Sequence, residues 1–251
     1  MPAAYDTYDY PSYWKGREYE HGCDILAIKS FLQKIPEINT VVEAGSGFGR
    51  LVPSFSFRAK KIILTDPSTK LLKLAREGLK SEKFNFLKIK IKNLPNKIKG
   101  KSVDLIICVR VLHHLEDIEE AFIVFNKILK DKGYLILEFP NKCHFKARVS
   151  KYLRGDFTFA SDIFPKDLRS KTNKKEKTIP FYNYHPDYIA KKLTSNGFEI
   201  LERRSVSNIR SPLLKKFFPV SLFLSIESYL QKPFASFNFG PSIFLLARKG
   251  N

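Results

Sequence analysis

Three groups of side chains in this 251-residue chain have types and spacings that can do chemistry. The first is Glu43-Ala44-Gly45-Ser46-Gly47-Phe48-Gly49, a carboxylate followed by three glycines that alternate with other residues. Such a run leaves the backbone bare enough for a ligand to approach it closely. A carboxylate directly ahead of the glycines suits a cationic ligand better than a phosphate. The second is Asp66, whose carboxylate can accept charge-assisted hydrogen bonds from a pair of hydroxyls such as a ribose diol. The third is His113-His114. Either imidazole can serve as a general base near neutral pH, or simply as a positioning group.

The elements needed to hold these residues are readable in the flanking pattern. Thr40 to Ala44 is a β-branched run that delivers Glu43 to the glycine turn, and a helix is expected after Gly49, with Pro53 tolerable in its first turn. Lys61 to Thr65 reads as a second strand ending at Asp66, and Ser68 as the N-cap of a helix carrying Leu71, Leu72, Leu74 and Ala75. Phe84 to Lys92 alternates, with lysines at 88, 90 and 92 on one face as suits an edge strand. Val103 to Val109 is nearly continuously apolar, the mark of a central parallel strand. Asp117 caps a helix with acids in its first turn and lysines at 127 and 130, closed by Gly133. Tyr134 to Phe139 is a further strand. Strands alternating with helices give a doubly wound α/β sheet.

That rhythm breaks twice. Residues 140–184 show no repeat and carry eleven Lys or Arg against four Asp or Glu. Residues 205–241 form a second, strongly apolar stretch. Between them, Pro186 to Asn196 reads as a helix and Phe198 to Arg204 as a strand; Ser242 to Arg248 is the last strand. Connections this long mark functional insertions. The first 39 residues combine an aromatic segment (Tyr5, Tyr8, Tyr10, Tyr13, Trp14, Tyr19), which can act as a lid or simply pack on the domain, with a helix from Asp24 to Ile35.

The glycine spacing departs from the dinucleotide fingerprint, in which the third glycine follows the second by three residues; a nicotinamide enzyme is disfavoured. Glu43 and Asp66 together describe a site for a positive group and a ribose. Taken in order, Glu43 to Gly49, Asp66, Val103 to Leu115 with Val111-Leu112-His113-His114-Leu115, and Leu129 to Phe139 resemble the class I S-adenosylmethionine-dependent methyltransferases, in the group that acts on small molecules. The resemblance spans about residues 38–140. It implies a Rossmann-like, doubly wound, seven-stranded sheet, mostly parallel with an antiparallel last strand. Helices lie on both faces, and the insertions follow strands 5 and 6. The organisation is then a single domain, 1–251: a lid and helix (1–39), a cofactor-binding core (40–139), and substrate caps (140–184 and 205–241).

The resemblance further implies S-adenosyl-L-methionine as cofactor and no metal. Glu43, Gly45, Ser46, Gly47 and Gly49 would line its methionine part, and Asp66 with Pro67 its ribose. Arg110 and Val111 would border the place where donor meets acceptor. Where the family commonly places an acid for the adenine amino group, this chain has Lys90, so adenine contacts are expected from backbone or from Asn93 and Leu94. Candidate general bases are His113 and His114, with Tyr182, Tyr184 and His185 also within the set.

Composition narrows the acceptor. The formal charge of +19 is compatible with nucleic acid or with peripheral contact to anionic lipid, and equally with a lysine-rich surface of no special function. No Asp/Asn-Pro-Pro-aromatic run follows the fourth strand, no cysteine pair suggests covalent pyrimidine chemistry, and no RNA-binding module is visible. A small-molecule or lipid-like acceptor is therefore expected, in place of RNA, protein, or a cofactor-binding role without turnover. The segment Leu213 to Leu230 reads as an internal cap, with a membrane-surface helix as the alternative. Three scattered cysteines, no signal peptide and no apolar span of about 20 residues point to a cytoplasmic protein with free thiols.

Overall fold

The structure is a computed structural model that describes residues 6, 9–176, 178–210 and 217–250. Of the sequence-based expectations, Tyr5 and Tyr8 of the lid and Leu213 and Leu214 of the apolar segment lie outside the described residues. Seven strands form one sheet: β1 (Thr40–Ala44), β2 (Lys61–Asp66), β3 (Phe84–Lys88), β4 (Val103–Cys108), β5 (Leu129–Pro140), β8 (Phe198–Val206) and β9 (Ser242–Lys249). Their order is β3-β2-β1-β4-β5-β9-β8. Strands β1 to β5 pair in parallel, whereas β9 runs antiparallel to both β5 and β8. The order reverses between β1 and β4, so a crevice opens at their carboxyl ends, which is where ligands bind in open α/β sheets. The expected mostly parallel sheet with an antiparallel last strand is what the chain forms.

Both faces of the sheet are buried because its strands are apolar on both. Val42, Ile63, Ile106, Leu135 and Leu137 face one cluster, packed by α4 (Ile118–Ile128) and α7 (Pro186–Ser195). Their alternating neighbours Val41, Ile62, Leu64, Leu105, Ile107 and Ile136 face the other, packed by α2 (Glu18–Leu32). The caps follow the sequence. Asp117 accepts from the Glu119 and Glu120 amides, and Ser68 opens α3 (Thr69–Gly78) by accepting from Leu71 N–H at 3.1 Å.

Several boundaries differ from expectation. No α-helix follows the glycines: the chain makes two 3-10 turns, Val52–Ser54 and Ser56–Arg58, with Val52 N–H bonded to Gly49 O and Ser54 N–H to Leu51 O. Pro53 has no N–H to extend an α-helical ladder, and Val52 and Phe55 are buried by the tighter turns. Strand β3 stops at Lys88, and Ile91–Asn96 is a 3-10 turn that pulls Leu94 into the core. Helix α4 ends at Ile128, and Leu129 already pairs with Val103. Lys130 thus leaves the helix end and bonds Asp104 at 2.6 Å.

The first insertion holds α5 (Phe145–Tyr152), a short ribbon of β6 (Lys166–Asp167) with β7 (Tyr182–Asn183), and α6 (Lys171–Lys175). The second holds α8 (Val220–Ala235), which packs against α2 and β8. The roots of the two insertions are joined. Asn141 donates to the Asn238 and Gly240 carbonyls, both at 2.8 Å, and Phe145 N–H to Phe239 O at 2.9 Å.

Helix α8 is held inward by Glu227, a buried carboxylate on its inner face. It accepts from Tyr19 Oη at 2.7 Å, Ser207 N–H at 2.8 Å, Asn208 N–H at 3.1 Å and Asn208 Nδ2 at 3.0 Å. Contact with α2 is close enough that a Cβ on Gly22 would lie 2.7 Å from Leu224. Glu227→Ala leaves these donors buried and unmet, so it is expected to lower unfolding free energy by about 2–4 kcal/mol; a shifted denaturant midpoint at unchanged slope reads the effect.

Candidate active site

Strand β1 delivers Glu43 and the glycine turn to the carboxyl edge, and β2 fixes the turn in place. Gly45 and Ser46 both donate their amides to Thr65 O, at 2.8 and 2.9 Å. Asp66 closes the arrangement: Oδ2 accepts from Gly47 N–H at 2.9 Å and Oδ1 from Ser68 N–H at 2.8 Å. Burial raises the pKa of this carboxyl while the two amides oppose the rise. Each oxygen keeps a second lone pair for a hydroxyl. Gly45 cannot be replaced, since its φ is +74° and a Cβ there would lie 2.2 Å from Val111 Cγ2. That contact brings the segment after β4 directly onto the turn after β1.

Glu43 and Ser46 carry unmet polar capacity. Glu43 is buried, its Oε2 has no hydrogen-bond partner, and neither does Ser46 Oγ. Burial pushes the Glu43 carboxyl up to about 8, with Arg50 opposing and Asp66 adding to the rise. A buried carboxylate oxygen without a partner costs free energy unless a donor or cation meets it. The donor set therefore fits a ligand with a positive group, a polar end and a diol.

The largest part of the site that sequence reasoning missed is charged. Asp24, on the buried face of α2, accepts from Arg50 Nη2 at 2.9 Å and from Arg110 Nε at 3.1 Å and Nη2 at 3.3 Å. The Trp14 ring lies against both guanidiniums, 3.5 Å from Arg50 and 4.9 Å from Arg110. Tyr10, in the short helix α1 (Tyr10–Tyr13), packs on Phe48, and its ring is the nearest neighbour of Gly47. The N-terminal segment thus lies over the glycine turn, held by cation–π contacts. Arg110 itself has φ +59°, a strained value for a side-chain-bearing residue, and its N–H is bound by Glu138 Oε2 at 2.7 Å. Burial opposes its charge, but Asp24 and Glu138 outweigh that and raise its pKa. The one available signal for Asp24 was a carboxylate among the apolar positions of a helix.

Residues 42–137 match the family model described as a methyltransferase domain, over the same glycine turn, Asp66 and post-β4 segment. That stretch of the chain is therefore similar to a methyltransferase domain. Two curated relatives, each named ubiquinone biosynthesis O-methyltransferase and from two strains of Rickettsia bellii, are 27% identical over 120 residues, 47% of this chain and 48% of theirs. The chain thus spans about half the length of the curated relatives it matches. A Thermotoga maritima methyltransferase structure, titled as a possible histamine N-methyltransferase, superposes with TM-score 0.62 at 18% identity, covering 98% of each chain. The magnesium protoporphyrin IX methyltransferase of Synechocystis with bound SAH superposes with TM-score 0.56 at 19% identity, covering 92% of this chain and 84% of that one. At these identities the superpositions speak to the fold.

On the segment after β4, His113 and His114 sit on a 3-10 turn, Leu112–His114, with ring centroids 3.9 Å apart. Phe181, returning from the first insertion, packs on both rings at 4.8 and 5.7 Å. Burial holds the pKa of His113 well below that of a free imidazole, helped by His114 and Arg110, and its Nδ1 has no partner. Burial lowers His114 as well, against an opposing bond. That bond joins Nδ1 to Pro180 O at 2.9 Å. A carbonyl only accepts, so Nδ1 carries the proton and Nε2 is the basic nitrogen of neutral His114.

The other candidates fall away from this geometry. His185 caps α7 with Nδ1 and reaches Ala160 O with Nε2, so both nitrogens are structural. Tyr184 is buried and donates to Leu112 O at 3.2 Å, supporting the turn beneath the histidines, and burial raises its pKa. Tyr182 lies in β7, half-buried beside Tyr184. For the adenine end, Leu94 is a core side chain that leaves only backbone to offer, whereas Pro67, Lys90 and Asn93 are exposed.

The Glu43 carboxyl supplies a pH test. Between about 4.5 and about 8 the unfolded chain releases this proton and the folded one retains it. Folding is therefore progressively disfavoured as pH rises across that window. Glu43→Gln is expected to change unfolding free energy little near the lower limit and to raise it by up to ~4–5 kcal/mol above the upper one. Denaturant titrations of both proteins across this range read the difference.

Proposed function

We propose that this protein is an S-adenosylmethionine-dependent methyltransferase (EC 2.1.1.-) that methylates a small-molecule or lipid-like acceptor through an ionisable hydroxyl, with His114 as general base. The observation that carries the reading is the His113-His114 pair packed beneath Phe181, on the segment that leans on the glycine turn. S-adenosylmethionine supplies a methyl group on a positively charged sulfur. Glu43, Gly45, Ser46, Gly47 and Gly49 hold its methionine end, Asp66 its ribose hydroxyls, and the backbone around Pro67, Asn93 and Leu94 its base. Arg110 and Val111 wall the space between donor and acceptor. Alignment of the two partners is worth up to roughly 7–11 kcal/mol where it is ideal.

His114 Nε2 accepts the hydroxyl proton, and Pro180 O fixes the tautomer in which this nitrogen is the basic one. Phe181 packs on both rings, and burial lowers the pKa of both imidazoles. His113 is packed against His114 and sets its ring position. The curated relatives bear the name ubiquinone biosynthesis O-methyltransferase, which supports methylation of an oxygen here. A second reading, RNA or protein methylation, draws on the basic surface alone.

Asp66→Ala is expected to weaken S-adenosylmethionine binding by ~1–3 kcal/mol, about 5- to 150-fold, by calorimetric titration; an unchanged affinity would sink the ribose assignment. His114→Gln is expected to keep cofactor affinity and to lower turnover by about 10²–10⁴-fold. The acceptor is sought by incubating protein and labelled donor with fractionated cell extract. Label in the small-molecule or solvent-extractable fraction supports the reading. Label in bulk RNA or protein alone overturns it in favour of the second, and cofactor binding without any labelling marks a protein that binds but does not turn over.

A further inference from the structure

The first insertion presents a surface whose chemistry the methyltransferase core does not use. Helix α5 and the loop after it leave Tyr152 at 62%, Leu153 at 78% and Phe157 at 68% exposure, with Phe145 and Val149 also exposed. Tyr152 and Phe157 pack edge to face at 5.0 Å, so helix and loop form one apolar patch around a groove of about 350 Å³. Between Lys142 and Gly155 the chain has five basic residues and no acidic one; Asp156, the one acid of the loop that follows, is paired with Lys151 at 3.0 Å. Lys142 is buried and bound to Asp162, but Lys146 and Arg154 are exposed beside the patch. Exposed lysines at 166, 171, 174 and 175 extend the positive character through the same insertion.

We propose that α5 and the 153–160 loop form a docking surface for a bilayer rich in anionic phospholipid. Large apolar side chains flanked by lysine and arginine match an interface in which apolar groups enter the headgroup region while cations meet lipid phosphates. Helix α8 offers the contrast. Its outer face exposes Leu222, Ile226 and Tyr229, but its only exposed charge is Lys232, and Phe223, Glu227 and Gln231 hold it to the body. Within the apolar segment singled out in the sequence, Val220 to Leu230 thus lies on a helix held to the body, and among the described residues the charge complementarity lies on α5. No helix among the described residues is long and apolar enough to cross a membrane, so the contact is a surface one. Its place is informative: α5 starts five residues after Pro140, at the carboxyl end of β5, and the insertion returns through Phe181 onto the histidine pair. Docking on this surface holds the carboxyl edge of the sheet next to the bilayer.

Lipid binding needs no acceptor and no turnover, so its test is separate from that of the proposed reaction. The full chain is co-sedimented with vesicles of phosphatidylcholine alone and with vesicles containing roughly one-third phosphatidylglycerol. Partitioning at least about tenfold stronger onto the anionic vesicles is expected, weakening as salt is raised. Tyr152→Asp with Leu153→Asp, and separately Lys146→Glu with Arg154→Glu, are each expected to reduce it about tenfold or more. Tyr229→Asp on α8 is expected to leave it unchanged. These positions are exposed, and unchanged melting temperatures verify folding. As a direct reading, Leu153→Cys is labelled with an environment-sensitive dye, the three native cysteines being buried; a blue shift is expected with anionic vesicles alone. Absent binding, equal binding to neutral vesicles, or loss through Tyr229→Asp with the α5 variants intact overturns the proposal.

Discussion

Asp24 is a carboxylate with no solvent exposure, shared by two guanidiniums, and the carboxyl edge of the sheet is arranged around that shared charge. A buried ion costs several kcal/mol in lost hydration and is tolerated only when partners and hydrogen bonds surround it. Here the partners come from separate parts of the chain. Arg50 follows the glycine turn, Arg110 leaves β4, and Asp24 lies on the helix ahead of β1. Joining them fixes the three segments to one another. Trp14 covers both guanidiniums, and Glu138 draws in the Arg110 amide from β5. Without the carboxylate, two like charges would face each other in a poorly hydrated crevice.

The two insertions follow the same logic of buried polar anchors. Asn141 binds the root of the second insertion to that of the first, Lys142 gathers Asp162 and the Phe164 carbonyl, and Glu227 gathers donors from α2 and from the end of β8. Neither segment has the regular strand–helix alternation of the core. A few hydrogen-bonded side chains define their paths, and the exposed apolar surface they carry is what remains after those anchors are met.

What the sequence made legible was whatever depended on local pattern. Continuous apolar runs identified β1, β2 and β4, because strands covered on both faces need apolar residues at every position. Asp117 and Ser68 marked helix starts because an N-cap must supply an acceptor within three residues. Glu43 and Asp66 were legible because a strand end gives a fixed place to a single carboxylate. The Asp24 cluster was not, since pairing across 26 and 86 residues leaves no periodicity. The helix expected after Gly49 failed because propensity there yields to packing: Val52 and Phe55 are buried by tighter turns than an α-helix allows. Leu213 to Leu230 reads as an apolar segment, yet the one acid within it, Glu227, decides which way α8 faces.

The contact between Gly45 and Val111 bears on how such a site changes over generations. The floor laid down after β1 and the wall built after β4 meet atom against atom, with no room for a methyl group between them. A side chain added at 45 would strike Val111, so neither segment can drift without the other. Substitution therefore has little freedom at this seam. Phe181 packs on the histidine rings at a remove from it, and there side chains can be exchanged without disturbing the glycine turn.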